Sequence, residues 1–127
     1  MIVLDSSALL ALLQREPGAE RVEELLPESV MSTANVAEVL AKAADRDLDV
    51  ATQHELLASL GIRVEPVITE DAVLSALIRQ ADTDTAPVLS LGDRLCLSLA
   101  LRLELPAVTA DRAWTNVEHG VVLHLIR

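Results

Sequence analysis

Met1-Ile2-Val3-Leu4-Asp5-Ser6-Ser7 is an apolar run that stops abruptly at a carboxylate and two hydroxyls, and an apolar helical pattern, Ala8 to Leu13, follows it. This reads as a fully buried strand, a tight turn and a helix. In an open α/β sheet, ligands gather beyond the carboxyl ends of the strands. Asp5 is therefore expected at the mouth of a site, presented from the middle of the core.

The composition suits that reading. The 127 residues are expected to form a single domain, 1–127, which buries about two thirds of its unfolded surface. Hydrophobic residues make up 51% of the chain, yet Trp114 is the only aromatic side chain. The core is then Leu, Val, Ile and Ala, which suits parallel strands covered by helices. The apolar start is too short for a signal peptide, and no run approaches the roughly 18 residues of a membrane span. A soluble cytoplasmic protein with no membrane partner is expected. The lone cysteine, Cys96, lies inside an apolar helix pattern and reads as a small buried hydrophobe.

Ten basic residues against twenty acidic ones give a net charge of −10. Such a surface repels nucleic-acid phosphate unless metal ions and a few local arginines intervene. The missing aromatics also remove a base-stacking platform.

Further along the chain, Glu16-Pro17-Gly18 marks a turn, and Ala19 to Leu26 has helical spacing stopped by Pro27. Ser29 to Ser32 is a strand candidate. Thr33 is a plausible cap for a helix from Asn35 to about Asp45. Val50 to Ser59 is another helix, ended by Gly61. Val64 to Ile68 is a strand whose Pro66 suggests a sheet edge. Thr69-Glu70-Asp71 opens a helix through Ala81, and an irregular loop runs from Asp82 to Leu89. Ser90-Leu91-Gly92-Asp93 starts a buried helix reaching Leu103. Pro106 to Ala110 is a strand ending at Asp111, Trp114 lies in a connecting segment, and Gly120 leads into a last strand, Val121 to Ile126. Strands alternating with helices imply βαβ units and a parallel sheet.

Four acids fall at matching places. Asp5 and Asp111 each follow a strand, Asp93 lies in the first turn of a buried helix, and Glu38 sits near the start of an otherwise apolar one. Two like charges ~4 Å apart repel by about 4 kcal/mol at an effective dielectric near 20, so four such acids at one mouth call for a divalent cation. Oxygen ligands suit Mg²⁺ or Mn²⁺. Each acid also has a local reading. Asp5 fits a helix cap, Asp93 a helix-start pattern with Ser90, Asp111 an Asx turn, and Glu38 an ion pair with Lys42 four residues on.

Val3-Leu4-Asp5-Ser6-Ser7-Ala8-Leu9-Leu10, Asn35-Val36-Ala37-Glu38-Val39, Leu91-Gly92-Asp93-Arg94 and Thr109-Ala110-Asp111-Arg112-Ala113-Trp114 together resemble a PIN domain, nearest to the VapC-type toxins of bacterial toxin–antitoxin systems. The resemblance covers the chain in order. It implies a three-layer α/β/α sandwich around a mainly parallel sheet of about five strands. It implies a Mg²⁺- or Mn²⁺-dependent endoribonuclease whose catalytic and metal-holding residues are Asp5, Glu38, Asp93 and Asp111. Ser6, Ser7 and Asn116 are supporting candidates. Arg94 and Arg112 are candidates for contacts to RNA phosphates, or for internal ion pairs. The partners implied are RNA, a cognate antitoxin and a second copy of the chain in a homodimer. The Leu9, Leu10, Leu12, Leu13 face reads as core, or as a dimer or antitoxin surface.

Other acid-rich α/β enzymes fit less well. A haloacid-dehalogenase-type phosphatase wants a second Asp two residues after the nucleophile, where this chain has Ser7. A receiver domain wants a late lysine, and Lys42 is early. A nucleotide-binding module wants a Gly-rich loop, and the four glycines are scattered. Another Mg²⁺-dependent phosphate-ester hydrolase, or a PIN-like binding protein without activity, remain the alternatives.

Overall fold

The computed structural model describes residues 1–78 and 89–127. Five parallel strands form one sheet in the order β3-β2-β1-β4-β5: β1 (Ile2–Leu4), β2 (Ser29–Ser32), β3 (Arg63–Glu65), β4 (Ala107–Thr109) and β5 (Leu123–Leu125). Around them lie α1 (Ser6–Leu13), α2 (Ala19–Leu25), α3 (Thr33–Asp45), α4 (Val50–Ser59), α5 (Thr69–Leu77) and α6 (Leu91–Leu103). The order reverses between β1 and β4. That is the switch point where a parallel sheet opens a crevice at its carboxyl edge. Asp5 follows one of these strands directly, and Asp111 follows the other after Ala110.

Alternation along the strands builds the layers. Val3, Val30 and Ala107 face Cys96, Leu97, Leu99 and Ala100 of α6, together with Trp114. Ile2, Leu4 and Val108 face the opposite way, onto Ala8, Val22 and Leu26 of the α1–α2 side. Both sheet faces are thus buried, which explains why β1 and β4 read as continuous apolar runs. Leu9, Met31, Val39 and Leu57 close a third cluster that brings in α3 and α4. The apolar face of α1 is therefore shared, with Leu9 fully buried and Leu10, Leu12 and Leu13 only partly so.

Local chemistry moves several boundaries from their expected places. Ser32, not Thr33, caps α3, accepting the Ala34 N–H at 3.2 Å. Thr33 Oγ1 instead accepts the Val67 N–H at 3.2 Å. Leu26 falls in a short 3-10 helix (Leu26–Glu28), because Pro27 supplies no N–H to continue α2. β3 is only three residues, ends before Pro66 and occupies the expected edge position. β5 is also shorter than expected. Trp114 lies in a 3-10 helix (Arg112–Asn116) and is fully buried. The helix beginning at Thr69 ends at Leu77, short of the expected Ala81, because the Ile78 backbone turns extended at ψ 107°. Residues 79–88, which include most of the expected loop, lie outside the described residues. No described helix is long and apolar enough to cross a membrane.

Helices α5 and α6 are joined by an ion pair that no local pattern announces. Arg102 Nε donates to Asp71 Oδ1 at 2.7 Å, and Arg102 Nη2 to Oδ2 at 3.1 Å. Asp71 is 2% exposed and also accepts the Ile68 N–H that starts α5. Removing one partner of a buried pair strands the other charge. Arg102→Leu is therefore expected to cost about 3 kcal/mol, the low end for buried pairs because Arg102 keeps some contact with water. A urea-unfolding midpoint unchanged from the parent would refute this.

Candidate active site

Asp5 is the most deeply set of the four acids, at 2% exposure. It caps α1 by accepting the Ala8 N–H at Oδ1, 2.8 Å away, so its local reading holds. Its other neighbours are more than a cap requires. Thr109 Oγ1, from the end of β4, donates to Oδ2 at 2.6 Å. Ser7 Oγ lies 2.8 Å from both carboxylate oxygens and shares one proton between them. Three donors then serve about four lone-pair sites. Thr109 Oγ1 accepts the Asp111 N–H at 3.0 Å, and Ser7 Oγ accepts the Ala110 N–H at 3.0 Å. One hydroxyl network thus ties the ends of β1 and β4 together.

Glu38 is placed differently. Its Oε1 accepts from Asn35 Nδ2 at 2.8 Å and from Ser6 Oγ at 3.2 Å. The expected Glu38–Lys42 ion pair is not formed among the described residues. Lys42 instead lines a cleft of about 350 Å³ that begins at Ser7 and also takes in Arg46 and Arg127. Gly92, in the first turn of α6, leaves room for the carboxylate. A Cβ there would collide with Glu38 Oε1 and lie 2.7 Å from Oε2.

Asp93 forms a reciprocal cap with Ser90. The Asp93 N–H donates to Ser90 Oγ at 3.1 Å, and the Ser90 N–H donates to Asp93 Oδ2 at 2.9 Å. Asp111 caps the 3-10 helix by accepting the Ala113 N–H at 2.9 Å, the anticipated Asx-type turn. The local readings of Asp5, Asp93 and Asp111 are therefore right, and they coexist with convergence.

Mutual repulsion reports that convergence. Burial, above all, lifts the Asp5 carboxyl from the ordinary 3.8 to about 6, against hydrogen bonds from Thr109, Ala8 and Ser7, and Asp93 adds repulsion. Burial also lifts Asp93, against the bonds with Ser90, with Glu38 and Asp111 pushing the same way. Cys96, buried as expected, has its thiol raised by burial first and then by Asp5, Asp93 and Glu38. No ion pair reaches any of the four acids among the described residues. Nor are three of them already gathered as a metal ion would hold them. In kind the donors fit a hard divalent cation, being all carboxylate oxygen, and such an ion would relieve the repulsion between them.

The remaining candidates divide. Ser6 and Ser7 touch Glu38 and Asp5. Asn116 is exposed at the end of the 3-10 helix, with no side-chain bond to the acids among the described residues. Arg112 is exposed and forms no ion pair among those residues. Arg94 Nη1 donates to the carbonyls of Ser75 and Ile78 at the end of α5, a contact different from both of its expected ones. Sequence reasoning gave no role to Thr109, Asn35 or Gly92. Thr109 lies two residues before Asp111 and Asn35 three before Glu38, and proximity to the acids was the only available signal.

A family model described as PIN domain matches residues 2–120. No curated protein sequence matches the chain significantly. Solved structures share its fold at low identity. A toxin–antitoxin complex from Klebsiella pneumoniae is 17% identical with a TM-score of 0.77, covering 100% of this chain and 98% of the other. VapBC2 from Rickettsia felis, bound to a DNA fragment from its promoter, is 16% identical with a TM-score of 0.73, covering 98% of each. VapC20 of Mycobacterium tuberculosis, a toxin that cleaves the sarcin–ricin loop, is 16% identical with a TM-score of 0.65, covering 87% of this chain and 88% of the other.

The Asp5 environment has a consequence for stability. Its folded pKa, about 6, lies above the unfolded value of 3.8. Between those values the folded state binds more protons, so this group lowers stability as pH rises through the window. The full effect is about 3 kcal/mol and persists above pH 6. In metal-free buffer, Asp5→Asn is expected to be the more stable protein at pH 7.5 and to lose that advantage near pH 4. Parallel stability–pH curves for the two proteins would refute this.

Proposed function

The chain belongs to the PIN domain family, and on that premise we propose that residues 1–127 form one metal-dependent endoribonuclease domain, the toxin of a toxin–antitoxin pair, with Mg²⁺ or Mn²⁺ as cofactor. The observation that supports the reading is that Asp93 is repelled by Asp5, Glu38 and Asp111 in turn, with no cation of the protein paired to any of the four among the described residues.

The four acids would hold the ion, which supplies the positive charge that acidifies an attacking water and offsets charge growing on the phosphate. The protein's own groups do the positioning. Thr109 and Ser7 fix the Asp5 carboxylate, Ser90 fixes Asp93, and the Ala113 N–H fixes Asp111. Glu38 is held through Oε1 alone, while Oε2 takes no hydrogen bond among the described residues. Exposed Arg112 and the cleft cations Lys42 and Arg46 are the proposed contacts for flanking RNA phosphates. Arg127 is partly committed, pairing with Glu16 at 2.9 Å.

An antitoxin partner is supported by the VapBC and Klebsiella complexes and by a groove between α1, α3 and α4. Leu10, Leu13, Val39, Leu48 and Leu56 line that groove, and Leu48 and Leu56 are 48% and 43% exposed. Homodimerisation is proposed from the family resemblance. A second reading, a PIN-like protein that binds without cleaving, draws on the absence of a ready-gathered metal set among the described residues.

Purified protein is expected to cleave RNA with Mg²⁺ or Mn²⁺ and to stop when a chelator is added. Asp5→Asn, Glu38→Gln and Asp93→Asn are each expected to lower the rate at least a hundredfold while the circular-dichroism spectrum is retained. Cleavage at the parent rate by any one of the three would sink the site. Gly92→Ala offers a subtler check. Its methyl displaces only the flexible end of Glu38, so melting should change little while cleavage falls at least tenfold. Unchanged cleavage would show that the Glu38 position is immaterial.

A further inference from the structure

Asn35 is fully buried on α3, and its amide group reaches two other places at once. Nδ2 donates to Glu38 Oε1 at 2.8 Å and to the Gly92 carbonyl at 3.1 Å, the second bond crossing from α3 to the first turn of α6. Both amide hydrogens are thereby used. Among the described residues Asn35 Oδ1 has no hydrogen-bond partner, although it is sealed from solvent. A buried unpaired acceptor is destabilising, so this amide is a poor choice if stability alone decided the residue.

The two bonds have a geometric effect. Gly92 precedes Asp93, and its missing side chain is the space that the Glu38 carboxylate fills. Asn35 therefore grips the Glu38 carboxylate and the backbone beside Asp93 with a single rigid group. We infer that Asn35 is a positioning residue that yokes Glu38 to the first turn of α6, fixing the separation of Glu38 and Asp93 and turning Glu38 Oε2 toward the site. Because Asn35 and Ser6 both bond Oε1, Oε2 is the oxygen left for a cation. The role in ion binding rests on the nuclease reading above. The yoke itself does not.

The test uses Asn35→Leu, Glu38→Gln and the double variant in the full chain, with Mn²⁺ as the probe. Hydrogen-bonding groups behind metal ligands typically contribute 10–100-fold to affinity. Asn35→Leu is expected to weaken Mn²⁺ binding, read by electron paramagnetic resonance, at least tenfold, with a melting temperature in metal-free buffer equal to or above the parent's. The double variant should bind no more weakly than Glu38→Gln alone. Parent-like Mn²⁺ affinity in Asn35→Leu, additive losses in the double variant, or weaker binding that only tracks a lower melting temperature would each overturn the inference. If the parent binds no Mn²⁺, the proposed function fails, and the yoke is judged by the same cycle in urea. Non-additive unfolding midpoints then support the yoke, and additive ones overturn it. Should Asn35→Leu not fold, Asn35→Asp, alike in shape but without amide hydrogens, takes its place with the same expected loss of Mn²⁺ affinity.

Discussion

Carboxylate repulsion is the constraint on which the upper edge of this molecule depends. Asp93 is repelled by Asp5, Glu38 and Asp111 there, in a chain that already carries twice as many acidic as basic residues. The protein answers with neutral donors rather than with cations. Hydroxyls of Ser6, Ser7 and Thr109, the Asn35 amide and the free N–H groups of helix starts hold the carboxylates in place. Such donors fix direction without cancelling charge, so the site stays strongly negative. An arginine paired with Asp5 would neutralise it and close it to an added cation.

The basic residues that could have intruded are spent elsewhere. Arg94 satisfies carbonyls at the end of α5, and Arg102 is committed to Asp71. Both leave from α6, the helix that also carries Asp93. One element therefore faces two environments, with its cations turned to α5 and its acid to the crevice. This helix also supplies Cys96, Leu97, Leu99 and Ala100 to the core, which fixes its rotation and hence the direction in which Asp93 can point.

Much of this was legible in the sequence. Strand β1, its following turn and α1 could be read from Ile2 to Leu13, because a buried parallel strand is an uninterrupted apolar run. The four acids could be found because each interrupts an apolar context. Less legible were contacts that join distant parts of the chain. Asn35 to Gly92 spans 57 residues and Thr109 to Asp5 spans 104, and spacing carries no information about such pairs. The choice of Ser32 over Thr33 as the α3 cap was also hidden, because both hydroxyls suit the position and only the approach of Val67 engages the second. Asp71, read only as part of a helix start, is half of a buried ion pair with Arg102, 31 residues away.

The 3-10 helix that Asp111 caps carries Trp114, and with no Tyr or Phe in the chain this indole is the sole ultraviolet chromophore and fluorophore of consequence. It is fully enclosed, with no hydrogen-bond partner for its Nε1 among the described residues. The emission spectrum is therefore a one-site signal, from a position three residues beyond the fourth acid. Movement of that turn, whether by an ion, a nucleic acid or a protein partner, can be followed optically in the unlabelled molecule.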